Sequence, residues 1–119
     1  DYAGSLEFLG ERMHENESVI FVAVEPNGHF SGFVQLYPIF SSVKLKRQWF
    51  LNDLFVAEDF RKNGIGKKLI DACKNFCHET NSGGLLLETA KTNIGANNLY
   101  LNEGFNVMYE QNFYFWERH

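Results

Sequence analysis

Eight consecutive residues, Arg61-Lys62-Asn63-Gly64-Ile65-Gly66-Lys67-Lys68, combine two glycines with four cations. They follow an apolar, strand-like run from Trp49 to Val56 and open a helix-like run from about Gly64 to Thr80. As a helix start the octet breaks several local rules at once. Each glycine costs about 1 kcal/mol relative to alanine in a helix. Lysines stand where the helix dipole favours acidic side chains, and no Ser/Thr-x-x-Glu capping box is present. One physical reason covers all three departures. Glycine lets another molecule approach the backbone closely, unsatisfied N–H groups at a helix start bind anions, and the cations add fixed positive charge. The chain has a net charge of −4, from 11 Lys and Arg against 15 Asp and Glu, so without these four cations it would stand at −8. Positive charge gathered here against the overall balance implies a phosphate-bearing ligand; the competing reading is an ordinary solvated helix start.

Two common nucleotide loops do not fit. A Walker A loop requires Gly-x-x-x-x-Gly-Lys-Ser/Thr, and here Arg61 replaces its first glycine and Lys68 its hydroxyl residue. A dinucleotide fingerprint requires Gly-x-Gly-x-x-Gly, and Leu69 occupies the third glycine position. What remains is Arg61-x-x-Gly64-x-Gly66 after a strand ending Leu54-Phe55-Val56. About thirty residues on comes a second pattern, Asn93-x-x-Ala96-x-x-Leu99-Tyr100-x-x-x-Gly104-Phe105. Together these resemble the acyl-CoA pyrophosphate loop and the second cofactor helix of the GNAT superfamily of N-acetyltransferases, over about Ser5 to Trp116.

The resemblance implies acetyl transfer from acetyl-CoA, as co-substrate, to a primary amine by direct attack in a ternary complex, with no metal. It assigns cofactor contacts to the backbone of Leu54, Phe55 and Val56 and to Arg61, Lys62, Asn63, Gly64, Ile65, Gly66 and Lys67. It adds Asn93, which also reads as a plain helix N-cap. Tyr100 matches the family's general acid, and a phenol with a reference pKa near about 10 suits proton donation to a thiolate. The base departs from the pattern. Where some members carry Glu, this chain has Asn52, whose amide cannot take a proton. Asp53 is the next candidate, although strand alternation points it to the opposite face from Asn52 and it also reads as a structural anchor; Glu88, water and an amine that arrives already neutral are the other routes. Because of Asn52, a catalytically weak acyl-CoA-binding module is the alternative reading.

These residues need elements to hold them. Ser5 to about His14 reads as a short amphipathic helix on Leu6, Leu9 and Met13. Val19–Val24, Phe30–Tyr37 and Arg47–Val56 read as an antiparallel meander, with a turn at Glu25-Pro26-Asn27-Gly28 and a polar loop from Phe40 to Lys46. A helix over about 64–80, stopped by Asn81-Ser82-Gly83-Gly84, leads to the apolar strand Leu85-Leu86-Leu87, which implies a right-handed parallel crossover. A helix over Ile94–Asn102 ends at Gly104, and Phe105–Tyr109 with Asn112–Trp116 reads as a closing hairpin in which Tyr109 and Tyr114 pack. The expected fold class is therefore α/β (α+β): a GNAT-like mixed sheet, antiparallel meander followed by a parallel β-α-β unit and closing hairpin. The family's first strand and helix are missing from this reading. The first strand's edge is then open or covered by another chain, so a homodimer or exchanged strand is the expectation there.

Length and composition set the bounds. A chain of 119 residues, 45% hydrophobic and 16% aromatic, reads as a single domain, 1–119, trimmed or fragmentary at its amino end because it starts at Asp1. No apolar run approaches the roughly 18 residues that span a bilayer, so no membrane partner is expected. The acidic balance argues against nucleic acid and favours a cationic acceptor, either a small molecule or a peptide amine. Cys73 and Cys77 lie on the apolar helix face with Ile65, Leu69, Ile70 and Phe76, as buried thiols. They offer no second pair of metal ligands and suit the reducing cytoplasm.

Overall fold

Alternating side chains build the sheet, and one helix seals it. The computed structural model describes residues 6–8, 18–41, 46–110 and 112–118. The strands are β1 (Leu6–Phe8), β2 (Val19–Val24), β3 (Phe30–Ser41), β4 (Lys46–Val56) and β5 (Leu85–Leu86). The helices are α1 (Ile65–Glu79) and α2 (Ile94–Asn102), with a single 3-10 turn at Glu58–Phe60. The sheet order is β1-β2-β3-β4-β5, antiparallel up to β4 and parallel between β4 and β5. The expected mixed sheet with its β-α-β unit is therefore present.

Val19, Phe21 and Ala23 of β2 face the core at every second position, as do Val34 and Leu36 of β3 and Trp49 and Leu51 of β4. Onto them α1 lays Ile65, Leu69, Cys73, Phe76 and Cys77, the three-and-four spacing of one helix stripe. Each fully buried aliphatic side chain of this kind contributes about 1.5–3 kcal/mol. Both thiols are buried and free, as the helix pattern implied. The far end of α1 is tied to the start of β4. Trp49 Nε1 donates to Thr80 Oγ1 at 3.1 Å, and the Trp49 ring meets Phe76 with centroids 5.0 Å apart.

Gly32 sets how closely these layers approach. A Cβ at this position would lie 2.5 Å from the Phe55 carbonyl oxygen and 3.3 Å from both Ile65 Cγ2 and Leu69 Cδ1. Only a residue without a side chain lets α1 settle there.

Three expectations change. Leu6–Phe8, read as part of a helix, is a strand paired antiparallel with β2, from Leu6↔Ala23 to Phe8↔Phe21. The remainder of the helix expected over Ser5 to His14 lies outside the described residues. The reason is the unpaired backbone of β2, which offers hydrogen bonds that outweigh a weak local helical pattern. Along these residues the chain covers the edge that the sequence left open. Second, β3 continues to Ser41 and β4 starts at Lys46, so the ends of the expected Phe40–Lys46 loop are strand.

Third, the closing hairpin is not formed: among the described residues, none from Phe105 to Arg118 is in a strand. Tyr109 and Tyr114, expected to pack, are 86% and 91% exposed. A two-stranded ribbon is marginal without a sheet to join, and β5 offers only two residues of ladder.

Candidate active site

The site grows out of the second half of β4. Pairing of β4 to β5 stops at Phe50↔Leu86, whereas β4 runs on to Val56 with β3 at its other side. From Leu51 to Val56 the strand therefore has no β5 partner among the described residues. The apolar strand Leu85–Leu87 of the sequence reading shortens to Leu85–Leu86, half-buried, and Glu88 follows it on the surface.

Within this half of β4 the ladder slips by one residue. Val34 pairs with Leu54 but Gln35 pairs with Asn52, which leaves Asp53 as the extra residue of a β-bulge, at φ 57°. The bulge resets the alternation. Leu54 and Val56 pack against the core with Leu51, whereas Phe55 turns to the face opposite α1. It also corrects the position expected for Asp53. Simple alternation separates Asn52 and Asp53, but Asn52 Nδ2 donates to Asp53 Oδ2 at 3.2 Å, so the carboxylate stands on the Asn52 side. Asp53 is exposed.

After the end of β4 the octet carries the chain into α1. Arg61 Nε donates to the Val56 carbonyl at 3.1 Å and fixes the guanidinium at the strand's end. Lys62 and Gly64 take left-handed conformations, at φ 67° and 79°. Gly64 is the N-cap of α1 and supplies no side-chain cap, so the first-turn N–H groups of Ile65, Gly66 and Lys67 have no intrahelical acceptor. Arg61, Lys62, Asn63 and Gly64 are exposed, while Ile65 is core. A Cβ on Gly66 would lie 3.3 Å from Leu99 Cδ2 and 4.0 Å from Val56 Cγ2. Gly66 thus brings β4, α1 and α2 together, a packing role beside the one read from sequence.

Lys67 is already engaged. Its ammonium bonds Asp71 at 3.1 Å and lies 3.6 Å from Glu103 Oε1. The hydrogen bond to Asp71, followed by the charges of Asp71 and Glu103, raises its pKa above the ordinary value. Glu103 was not singled out in the sequence, because its partners are far away along the chain. It also stands 3.7 Å from Lys74 Nζ, which donates to the Glu103 carbonyl, and so ties the end of α2 to α1.

On α2, Asn93 is the N-cap: its Oδ1 accepts the Ala96 N–H at 3.1 Å. Tyr100 is half-buried with its ring edge-on to Phe105, centroids 5.5 Å apart. Burial, with a smaller contribution from Cys73, pushes its phenol above the ordinary pKa. The group thus keeps its proton over the neutral range.

A strand edge freed beyond its neighbour, ending at an uncapped, cation-ringed helix, is accompanied by a sequence match. Residues 2–105 match the model of the Acetyltransferase (GNAT) family. The chain belongs to the GNAT family. Among its relatives, "Uncharacterized N-acetyltransferase YhfO" of Bacillus subtilis is 44% identical over 105 residues, covering 88% of this chain and 70% of that protein. A "Probable acetyltransferase" of Haemophilus influenzae is 40% identical over 103 residues, covering 87% and 68%. A crystal structure of a probable acetyltransferase superimposes with TM-score 0.79 at 35% identity, covering 86% of this chain and 68% of that one. This GNAT chain is an acyltransferase, and membership of the family implies acetyl-CoA as its co-substrate. No helix among its described residues is long and apolar enough to cross a membrane.

Proposed function

We propose that this GNAT chain moves an acetyl group from acetyl-CoA to a primary amine by direct attack in a ternary complex. The observation that carries the reading is the β4 edge from Leu51 to Val56, freed from β5 and leading straight to the uncapped start of α1. The backbone of Leu54, Phe55 and Val56 would pair with the amide-bearing arm of the coenzyme. Arg61, Lys62, Asn63, Gly64, Ile65, Gly66 and Lys67 would hold its diphosphate, mainly through first-turn N–H groups. Asn93, its Oδ1 committed to the cap, would touch the coenzyme through the rest of its amide.

Two side chains would handle the protons. Tyr100, protonated over the neutral range, gives its proton to sulfur as the C–S bond breaks. Asp53 accepts the proton that the attacking nitrogen loses as the C–N bond forms. Free N–H groups along β4 steady the negative oxygen between those events.

Release of free thiol from acetyl-CoA, followed in the presence and absence of a panel of primary amines, tests the reading. Amine-dependent release supports it; a protein that binds acetyl-CoA but releases thiol with none of the panel does not perform this reaction. Melting temperature with acetyl-CoA, ATP or NAD is the companion measurement. A ligand at 100 times its dissociation constant adds about 2.7 kcal/mol, and only acetyl-CoA should do so.

A further inference from the structure

The sheet face turned away from α1 carries a shelf of aromatic rings. Phe30 and Phe55 stack at 13° with centroids 6.3 Å apart, and Phe33 lies 5.8 Å from Phe55 and 6.3 Å from Phe30. Rings of this size normally sit in the core, yet Phe30 is 46% and Phe55 41% exposed. The bulge at Asp53 is what places Phe55 here, since unbroken alternation would turn it inward.

The next rung of the ladder on this face is the amide pair Gln35↔Asn52, and between the two rungs stands Asp53, its carboxylate against the Asn52 amide. An exposed carboxylate thus stands two residues before Phe55 on β4, between the rung that carries the rings and the amide pair. No Lys or Arg pairs with Asp53 among the described residues. Ring faces attract cations, and a carboxylate attracts them more strongly. The complement is a molecule with an amine at one end and a flat or apolar body at the other. Continuity with the proposed cofactor strand favours the same occupant, because Asp53 immediately precedes Leu54.

We propose that Phe30, Phe33 and Phe55 with Asp53 form the acceptor subsite, and that the acceptor is a primary amine with an aromatic or apolar body, its amine end at Asp53 and its body across the rings. This rests on the acetyl-transfer reading above.

Phenethylamine and ethanolamine, which share an aminoethyl end and differ in body, serve as probes. With wild-type protein, kcat/KM for phenethylamine should exceed that for ethanolamine at least tenfold. Phe30→Ala should lower the phenethylamine value about tenfold through KM, leaving ethanolamine and the KM for acetyl-CoA unchanged. Phe30→Leu, which keeps apolar volume but loses the ring, should show part of the same selective loss. Equal losses for both amines, or a matching change in the KM for acetyl-CoA, would mean that the shelf serves the fold, and would overturn the proposal. Acetyl-CoA binding is measured first by calorimetry. If it is absent, the acetyl-transfer reading fails, and the shelf is read separately by NMR line broadening of the phenethylamine ring protons. Broadening in wild type that vanishes in Phe30→Ala supports the subsite; equal broadening in both, or none in wild type, refutes it.

Discussion

Asn52 and Asp53 are neighbours in a strand, yet Asn52 Nδ2 donates to Asp53 Oδ2 at 3.2 Å. Two successive residues of a regular strand point to opposite faces; here the bulge makes Asp53 the unpaired residue and lets its carboxylate reach its neighbour's side. Asp53→Asn keeps the size of the side chain, and Asn tolerates the left-handed backbone. Its stability should stay within about 0.5 kcal/mol of wild type, the range of ordinary surface changes. Loss of a positioned base should lower kcat by about a hundredfold. Asp53→Val, β-branched at φ 57°, should instead cost about 1–2 kcal/mol. Urea melts and steady-state kinetics on both variants decide the matter; full activity in Asp53→Asn would remove the carboxylate from the mechanism.

Arg61 is held by Nε on the Val56 carbonyl, which orients the guanidinium at the strand's end. A hydrogen bond to a charged group contributes about 1.5–3 kcal/mol. Arg61→Ala should therefore weaken acetyl-CoA binding by roughly 10- to 100-fold. Arg61→Lys should recover little, because lysine has no equivalent of Nε to anchor it. Calorimetric titration of the two variants with acetyl-CoA is the check, and a lysine variant that binds like wild type would show that charge alone is required.

Tyr100→Phe should leave acetyl-CoA affinity unchanged and lower kcat by about 10²–10⁴-fold. Burial raises the phenol's pKa, so the wild-type rate should hold its alkaline side to above pH 10 and fall only when Tyr100 gives up its proton. A pH profile in Tyr100→Phe that retains this limb would assign it to another group.

The thiols of Cys73 and Cys77 are raised by burial to about 12 and about 11 from an ordinary 9.0. Both folded values lie above the unfolded one, so the native state holds its protons longer. Stability is then fully present below pH 9 and declines as the pH rises through the folded values. Urea midpoints should fall steadily from pH 9 to 11, and a thiol reagent at pH 8 should react only as fast as the protein opens. Rapid labelling of native protein would contradict the burial.

Gly32→Ala tests the closeness of sheet and helix. With its new Cβ 2.5 Å from the Phe55 carbonyl, neither partner can move without disturbing β4 or α1. The expected cost is about 1–3 kcal/mol or more, seen as a lower urea midpoint. An unchanged midpoint would mean that the layers can separate there.

Much of this arrangement was legible in order along the chain. The stripe Ile65-Leu69-Cys73-Phe76-Cys77, the glycine-and-cation octet and the Asn93 cap are local patterns, and periodicity and capping act over a few residues, so the sequence alone determined α1, α2, the meander and the uncapped, glycine-led start of α1. Where partners lie far apart in sequence, only the tertiary structure decided. The bulge that brings Asp53 to Asn52 and turns Phe55 outward follows from the β3–β4 register. Lys67 and Lys74 meet Glu103 only because the fold brings the end of α2 back to α1. Leu6–Phe8 became a strand because β2 offered an edge, and the described residues of Phe105–Trp116 did not because β5 is too short to template one. Pairing of backbone edges is a non-local energy, and no window of residues contains it.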